Sequence, residues 1–230
     1  MLKAYVDLIS QPSRALYIFL KFTQIPHTIQ HVALRKGEHN KAEFLKINPF
    51  HTVPAIDDGG FLLSESVPIL QYLCNKHNIH SLYPKDLQQR AKIEAFTHWQ
   101  HLNLRYGGSI LFVALFSQPA SGKMPIDEKS VQLGVKVLKA SLERIEQIYL
   151  KETPFLSSDS LSIADLLGVC EVLQVHVGLG MDVLTHYPKV AKWVELVRES
   201  VGASIFDDAH SFILKAGEKV RKMEVSVPKL

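Results

Sequence analysis

The 230-residue sequence has little of what usually marks a specialised chain. It holds two cysteines, Cys74 and Cys170, each among apolar residues at helical spacing. No disulfide framework is expected from them; buried thiols in a reducing compartment are. There is no block of like charge: 26 basic and 23 acidic residues are spread along the chain, which gives nucleic-acid binding little support. No apolar run is long enough to span a membrane, and the stretch from Ala15 to Phe22 is interrupted by Lys21. No secretory leader is visible, so a cytoplasmic location is expected, with Pro228-Lys229-Leu230 as a weak version of the Ser-Lys-Leu peroxisomal address. The histidine pairs His77/His80 and His98/His101 have no third ligand at zinc spacing, so no metal site is expected. Gly-x-Ser-x-Gly is absent, and no histidine or acid stands at a spacing that marks a hydrolase triad.

What is present reads as a globular protein. With 47% hydrophobic and 21% charged residues, the chain can bury one large core or two modest ones. The first eighty residues mix periods. Leu2 to Val6 reads as a strand, and Pro12 opens a helix to about Thr23 with Ala15, Ile18, Phe19 and Phe22 on one face. His27 to Val32 reads as a strand and Lys41 to Ile47 as a short helix. Thr52 to Ile56 and Phe61 to Leu63 read as strands flanking the Asp57-Asp58-Gly59-Gly60 turn, followed by a helix from Ser64 or Glu65 to Lys76. This order fits a small mixed sheet backed by helices, an α/β domain over residues 1–80. Residues 81–85 are a linker, and the strand signal fades beyond them. The pattern then predicts an all-α bundle over 86–230: a long helix from Asp86 to Phe116 weakened at Gly107-Gly108, a loop from Ser117 to Pro125, and a helix from Asp127 with Val131, Val135, Leu138 and Leu142 as its stripe. A helix from Ser162 to Val177 is apolar on nearly every side, as one buried in the middle of a bundle must be. Pro188 opens another, and Ser204 to Val220 is the last.

Two places carry chemistry. Ser10 sits between the first strand and the first helix, where its hydroxyl either caps the helix or stabilises an anion near the positive helix end. Glu65 and Ser66 start the third helix beside its free N–H groups. With Val53, kept extended by Pro54, they form a cradle for an extended ligand carrying an amine and a carboxylate, or else they are plain helix caps. By contrast, Ser162-Ile163-Ala164-Asp165 reads as a capping box, and Arg14 as an anchor for the Ser10 turn rather than a substrate contact.

The run Val6 to Ala15, Asn48-Pro49 through Val53-Pro54-Ala55, and Ser64-Glu65-Ser66 resembles the cytosolic glutathione transferases, the theta class above all. The likeness continues through Leu82-Tyr83-Pro84, Trp99-Gln100-His101, Ser162-Ile163-Ala164-Asp165 and Pro188-Lys189, and so covers nearly the whole chain. It implies a thioredoxin-like N-terminal domain, an all-α C-terminal domain and a homodimer that joins glutathione to hydrophobic electrophiles, with glutathione as co-substrate and no other cofactor. Ser10 then donates a hydrogen bond to the glutathione sulfur. A thiol of pKa about 8.5 must fall by roughly two units to be mostly thiolate at pH 7, about 2.7 kcal/mol. A charge-assisted hydrogen bond of about 1.5–3 kcal/mol covers that, with no strong base.

The resemblance also distributes the remaining contacts. Val53 exchanges backbone hydrogen bonds with the cysteinyl unit next to an implied cis proline. Glu65 takes the γ-glutamyl ammonium and Ser66 its carboxylate. His39 and Thr52 serve the glycyl carboxylate, and His51 matches a histidine used by the delta class. The chain departs from the pattern at Thr52, where lysine is frequent, and at Leu102, in a stretch that the resemblance implies reaches toward glutathione across the dimer; a polar residue is common there, and its absence leaves Asn103 and Arg105 as that stretch's donors. The segment after Ala216 looks short for a vertebrate theta enzyme, which implies a more open electrophile site. Leu111, Phe112, Leu115 and Phe116 line that second pocket or belong to the bundle core. Peroxide reduction by the same thiolate, or non-catalytic carriage of hydrophobic ligands, stay open as alternatives.

Overall fold

The computed structural model describes residues 1–118, 128–156, 158–222 and 228. Alternation builds its sheet. In β1 (Leu2–Val6), Leu2, Ala4 and Val6 are buried and Lys3 and Tyr5 point the other way, the period-2 pattern of a strand with one face on a core. The sheet order is β2 (His27–His31), β1, β3 (Ala55–Asp58), β4 (Phe61–Ser64). β1 runs parallel to β2, with Leu2 opposite His27, and antiparallel to β3, with Tyr5 opposite Ala55; β3 and β4 form an antiparallel hairpin. The parallel pair is crossed by α1 (Gln11–Thr23), and α3 (Ser66–Lys76) follows the hairpin; the one-turn helix α2 (Ala42–Leu45) is shorter than its sequence pattern suggests. This is the thioredoxin-like arrangement.

Beyond Ser64 no strand occurs among the described residues. The helices are α4 (Leu87–Leu102), α5 (Leu104–Phe112), α6 (Glu128–Arg144), α7 (Ile163–His176), α8 (Pro188–Val201) and α9 (Ala203–Lys222). α7 is buried on all sides from Ile163 to Val175, as its largely apolar sequence requires, with Asp165, Glu171 and Gln174 as buried polar exceptions, and its capping box is present in full. α1 packs on α7 and α9, so one continuous apolar core runs from the sheet into the helices.

The structure corrects the sequence reading in two places and decides one alternative it left open. The long helix from Asp86 breaks at Asn103 (φ −122, ψ −91), whose side-chain amide donates to Trp99 O at 2.7 Å, and not at Gly107-Gly108. Those glycines lie inside α5 because a neighbour comes close: a Cβ on Gly107 would stand 2.7 Å from Leu138 N on α6. Ser117 continues a wide helical turn over Val113–Ser117 and is not loop. Leu111, Leu115 and Phe116 are buried core, with half-buried Phe112 tilted against Phe116 at 4.7 Å between ring centres, so of the two readings bundle packing describes them. Gln118 is helical as well, while residues 119–125 of the expected loop, the Asp127 helix start and Lys229-Leu230 fall outside the described residues. Both cysteines are free and buried, and burial pushes each thiol up to about 12. No helix among the described residues is long and apolar enough to cross a membrane.

Candidate functional site

Four segments meet around one cleft. The first is the start of α1. Ser10 is its N-cap in extended conformation; its Oγ accepts from Ser13 N–H at 3.4 Å and its hydroxyl donates to Val53 O at 3.4 Å. The donated bond is longer than a good hydroxyl hydrogen bond of about 2.5–3.0 Å, so a stronger acceptor displaces Val53 O at little cost. Ser10 therefore caps α1 and turns its hydroxyl toward the backbone of Val53, which lies ahead of β3 rather than in it.

Arg14 fixes this turn. Its Nη1 donates to Leu8 O at 2.9 Å and Ile9 O at 3.2 Å, and its Nη2 to Cys170 O at 3.0 Å and Gln174 Oε1 at 2.6 Å on α7. Arg14 is fully buried, which lowers its pKa below the usual guanidinium range, offset in part by Cys170 and Glu171. It is an anchor, out of reach of a substrate. Behind α1, His210 of α9 is 3% exposed, and burial, then the charge of Arg14, pulls its pKa down to about 3.

The second segment runs from Asn48 to Pro54. Buried Asn48 donates through Nδ2 to Thr52 O at 2.7 Å and Thr52 Oγ1 at 3.1 Å, and accepts from Phe50 N–H at 3.1 Å. One side chain thereby shapes the loop that presents Thr52 and Val53. The Val53–Pro54 peptide bond is cis.

The third segment is the β4–α3 junction. Glu65 stands at the N-cap of α3 with φ 69 and ψ 118, and its side chain makes no capping bond. A positive φ is unfavourable for a residue with a Cβ, by about 1–3 kcal/mol where it leaves the allowed regions. The exposed carboxylate is thus held at a helix start without serving it, and plain capping does not describe Glu65. Ser66, 7% exposed, is the first residue of α3, among N–H groups with no helical acceptor.

The fourth segment is the α4–α5 break. His101 and Arg105 join Pro12, Thr52, Val53, Pro54, Glu65 and Ser66 around a cleft of about 200 Å³. Arg105 is held from behind by Glu171 on α7, at 2.7 Å. Of the residues expected from sequence, Thr52, Val53, Glu65, Ser66 and Arg105 line this cleft, and Ser10 adjoins it through Val53 O. His39 and His51 do not line it. They cluster around Asn40, with His51 Nδ1 at 3.0 Å from Asn40 Oδ1 and His39 Nε2 at 3.2 Å from Asn40 Nδ2. Asn103 is likewise absent from the lining, its amide occupied by the end of α4. His101 was not foreseen as a site residue; its i,i+3 relation to His98 marked a helix face without saying what that face meets. No cluster of histidine, cysteine or acid suited to a metal occurs among the described residues.

This geometry has close counterparts. The family model for the glutathione S-transferase N-terminal domain matches residues 10–76, and that for the glutathione S-transferase C-terminal domain matches residues 116–201. Mouse glutathione S-transferase theta-1 is 38% identical over 218 residues, covering 94% of this chain and 90% of the relative. The chain belongs to the glutathione S-transferases, with its similarity in the theta class. It is therefore an enzyme of a transferase family. Human glutathione transferase theta-2, solved in complex with glutathione and an unknown ligand, superimposes on this transferase with a TM-score of 0.91 at 34% identity, covering 100% of this chain and 94% of that one. A human theta-class transferase in complex with the glutathione conjugate of 1-menaphthyl sulfate gives 0.91 at 34% identity, covering 99% and 93%.

Proposed function

We propose that this transferase detoxifies hydrophobic electrophiles by joining them to glutathione, with Ser10 as the catalytic residue. The observation that carries the reading is the cleft itself. An uncapped carboxylate at Glu65, the open start of α3 at Ser66, the Val53 backbone and the Arg105 guanidinium face one volume beside the Ser10 hydroxyl. Those groups complement a zwitterionic peptide: Glu65 takes the γ-glutamyl ammonium, Ser66 with Arg105 its carboxylate, and Val53 the cysteinyl backbone. Thr52, with His51 next to it in the chain and His39 linked to His51 through Asn40, serves the glycyl carboxylate.

The chemistry needs little from the protein beyond this placement. Bound glutathione loses its thiol proton to solvent, and the thiolate accepts the Ser10 hydroxyl in place of the long bond to Val53 O, aided by the start of α1. The sulfur then attacks the electrophilic carbon, the carbon–sulfur bond forms, and the leaving group departs with the electrons of its bond. No resident cofactor takes part. Residues 1–80 hold the tripeptide, 81–85 link, and 86–230 carry the electrophile side. The working form is a cytoplasmic homodimer: Leu102, 77% exposed, sits in an apolar groove of about 470 Å³ that shares Glu65 and His101 with the cleft, so a second copy there would close both.

Steady-state conjugation tests the reading. Ser10→Ala is expected to lower kcat/KM for an alkyl halide by roughly 10- to 100-fold, the worth of one charge-assisted hydrogen bond. Its Kd for glutathione stays within about twofold. Full turnover in that variant refutes the role of Ser10.

A further inference from the structure

The buried helix α7 grips the cleft from behind at three neighbouring positions. Cys170 O and Gln174 Oε1 hold Arg14, which holds the turn before Ser10. Glu171, between them, holds Arg105 on the opposite wall. Glu171 is 4% exposed, and its Oε2 has no hydrogen-bond partner among the described residues. A carboxylate so placed is costly to keep in the core unless it serves its partners. The two arginines it faces give it that service: Arg105 through a 2.7 Å ion pair, and Arg14 through its charge.

The consequence lies at Arg105. A half-buried arginine has many rotamers and five N–H donors in a rigid fork. Pinning Nη1 on Glu171 selects one pose and leaves the rest of the fork to the cleft that Arg105 lines. Glu65 and Ser66, the groups suited to the γ-glutamyl end, line the same cleft.

We propose that Glu171 is a positioning residue for glutathione: its buried carboxylate sets the Arg105 guanidinium to receive the γ-glutamyl carboxylate. The inference rests on the reading of Arg105 as a glutathione contact. A merely structural Glu171 would tie α5 to α7 and affect stability alone.

The test is a double-mutant cycle on the full-length protein, titrated with glutathione and with 4-aminobutanoyl-cysteinylglycine, which keeps the amine and lacks the γ-glutamyl carboxylate. Glu171→Gln and Arg105→Gln are each expected to raise Kd for glutathione about tenfold, with the double variant no more than about twofold worse than Arg105→Gln. Neither substitution is expected to weaken the analogue by more than about twofold. Glu171→Asp, which keeps the charge with a shorter reach, is expected to fall between wild type and Glu171→Gln, and it carries the test if Glu171→Gln does not fold. An unchanged Kd in Glu171→Gln, or in Glu171→Asp where that replaces it, overturns the proposal while leaving Arg105 as a contact if Arg105→Gln still weakens binding. An unchanged Kd in Arg105→Gln overturns the reading of Arg105 itself.

Discussion

Two helix starts in this molecule use nearly the same residues for opposite ends. At α7, Ser162 and Asp165 close on each other. Asp165 is fully buried and accepts from Leu156 N–H, Trp193 Nε1–H, and the N–H and hydroxyl of Ser162, each at 2.9 Å. At α3, Glu65 and Ser66 stay open: the acid is exposed, caps nothing and sits at positive φ. One start spends its polar groups on the fold, and the other keeps them available and bears strain to do so. Burial decides between the two. Where water is excluded, every donor must find a protein acceptor; at the rim of a cleft, the same groups await a ligand.

The comparison breaks first on Asp165→Ala. Removing one acceptor from four buried donor contacts is expected to cost about 3–5 kcal/mol in denaturant unfolding, the range for unpairing buried charged networks. Glutathione affinity should stay unchanged in whatever fraction folds. At the open start the balance reverses. Glu65→Gln is expected to raise Kd for glutathione by roughly 10- to 100-fold, measured calorimetrically, with stability within about 0.5 kcal/mol.

The buried histidine behind the Ser10 turn adds a test by pH. The His210 pKa is lowered to about 3 in the folded state, so the unfolded chain binds more protons between that value and the ordinary 6.5. Its contribution is complete above about pH 6.5 and is lost as pH falls through that window, at up to about 1.4 kcal/mol per unit. His210→Gln should flatten this slope in melts taken from pH 7.5 to 4.5. Equal slopes in the two proteins contradict it. The smallest effect is on stability: Glu65→Gly relieves the positive φ and is expected to raise stability by about 1 kcal/mol, with glutathione binding weakened at least as much as in Glu65→Gln.

Short-range features of this fold were legible in the sequence. The alternation of Leu2–Val6, the stripe on α1, the capping box at Ser162 and the largely apolar run of α7 depend on neighbours within a few residues. What stayed hidden depends on contacts made across the chain. Gly107 looked like a helix breaker, since nothing local announces that Leu138 will come within a Cβ of it. Leu111, Leu115 and Phe116 looked equally suited to a pocket, because apolar character does not say whether water or protein lies beyond. At the cleft, Glu65, Ser66 and Val53 were readable as a group because one strand–turn–helix unit carries them. The Arg105–Glu171 pair spans 66 residues and the Arg14–Gln174 pair 160, and no spacing rule reaches that far.

The most direct test of Ser10 is the ultraviolet thiolate band of bound glutathione, titrated from pH 5 to 9 in wild type and Ser10→Ala at saturating ligand. In the wild type the band should be half developed roughly two pH units below its midpoint for free glutathione. In Ser10→Ala it should return most of the way to the free value. A wild-type midpoint no lower than that of free glutathione, or the same lowered midpoint in both proteins, contradicts the account.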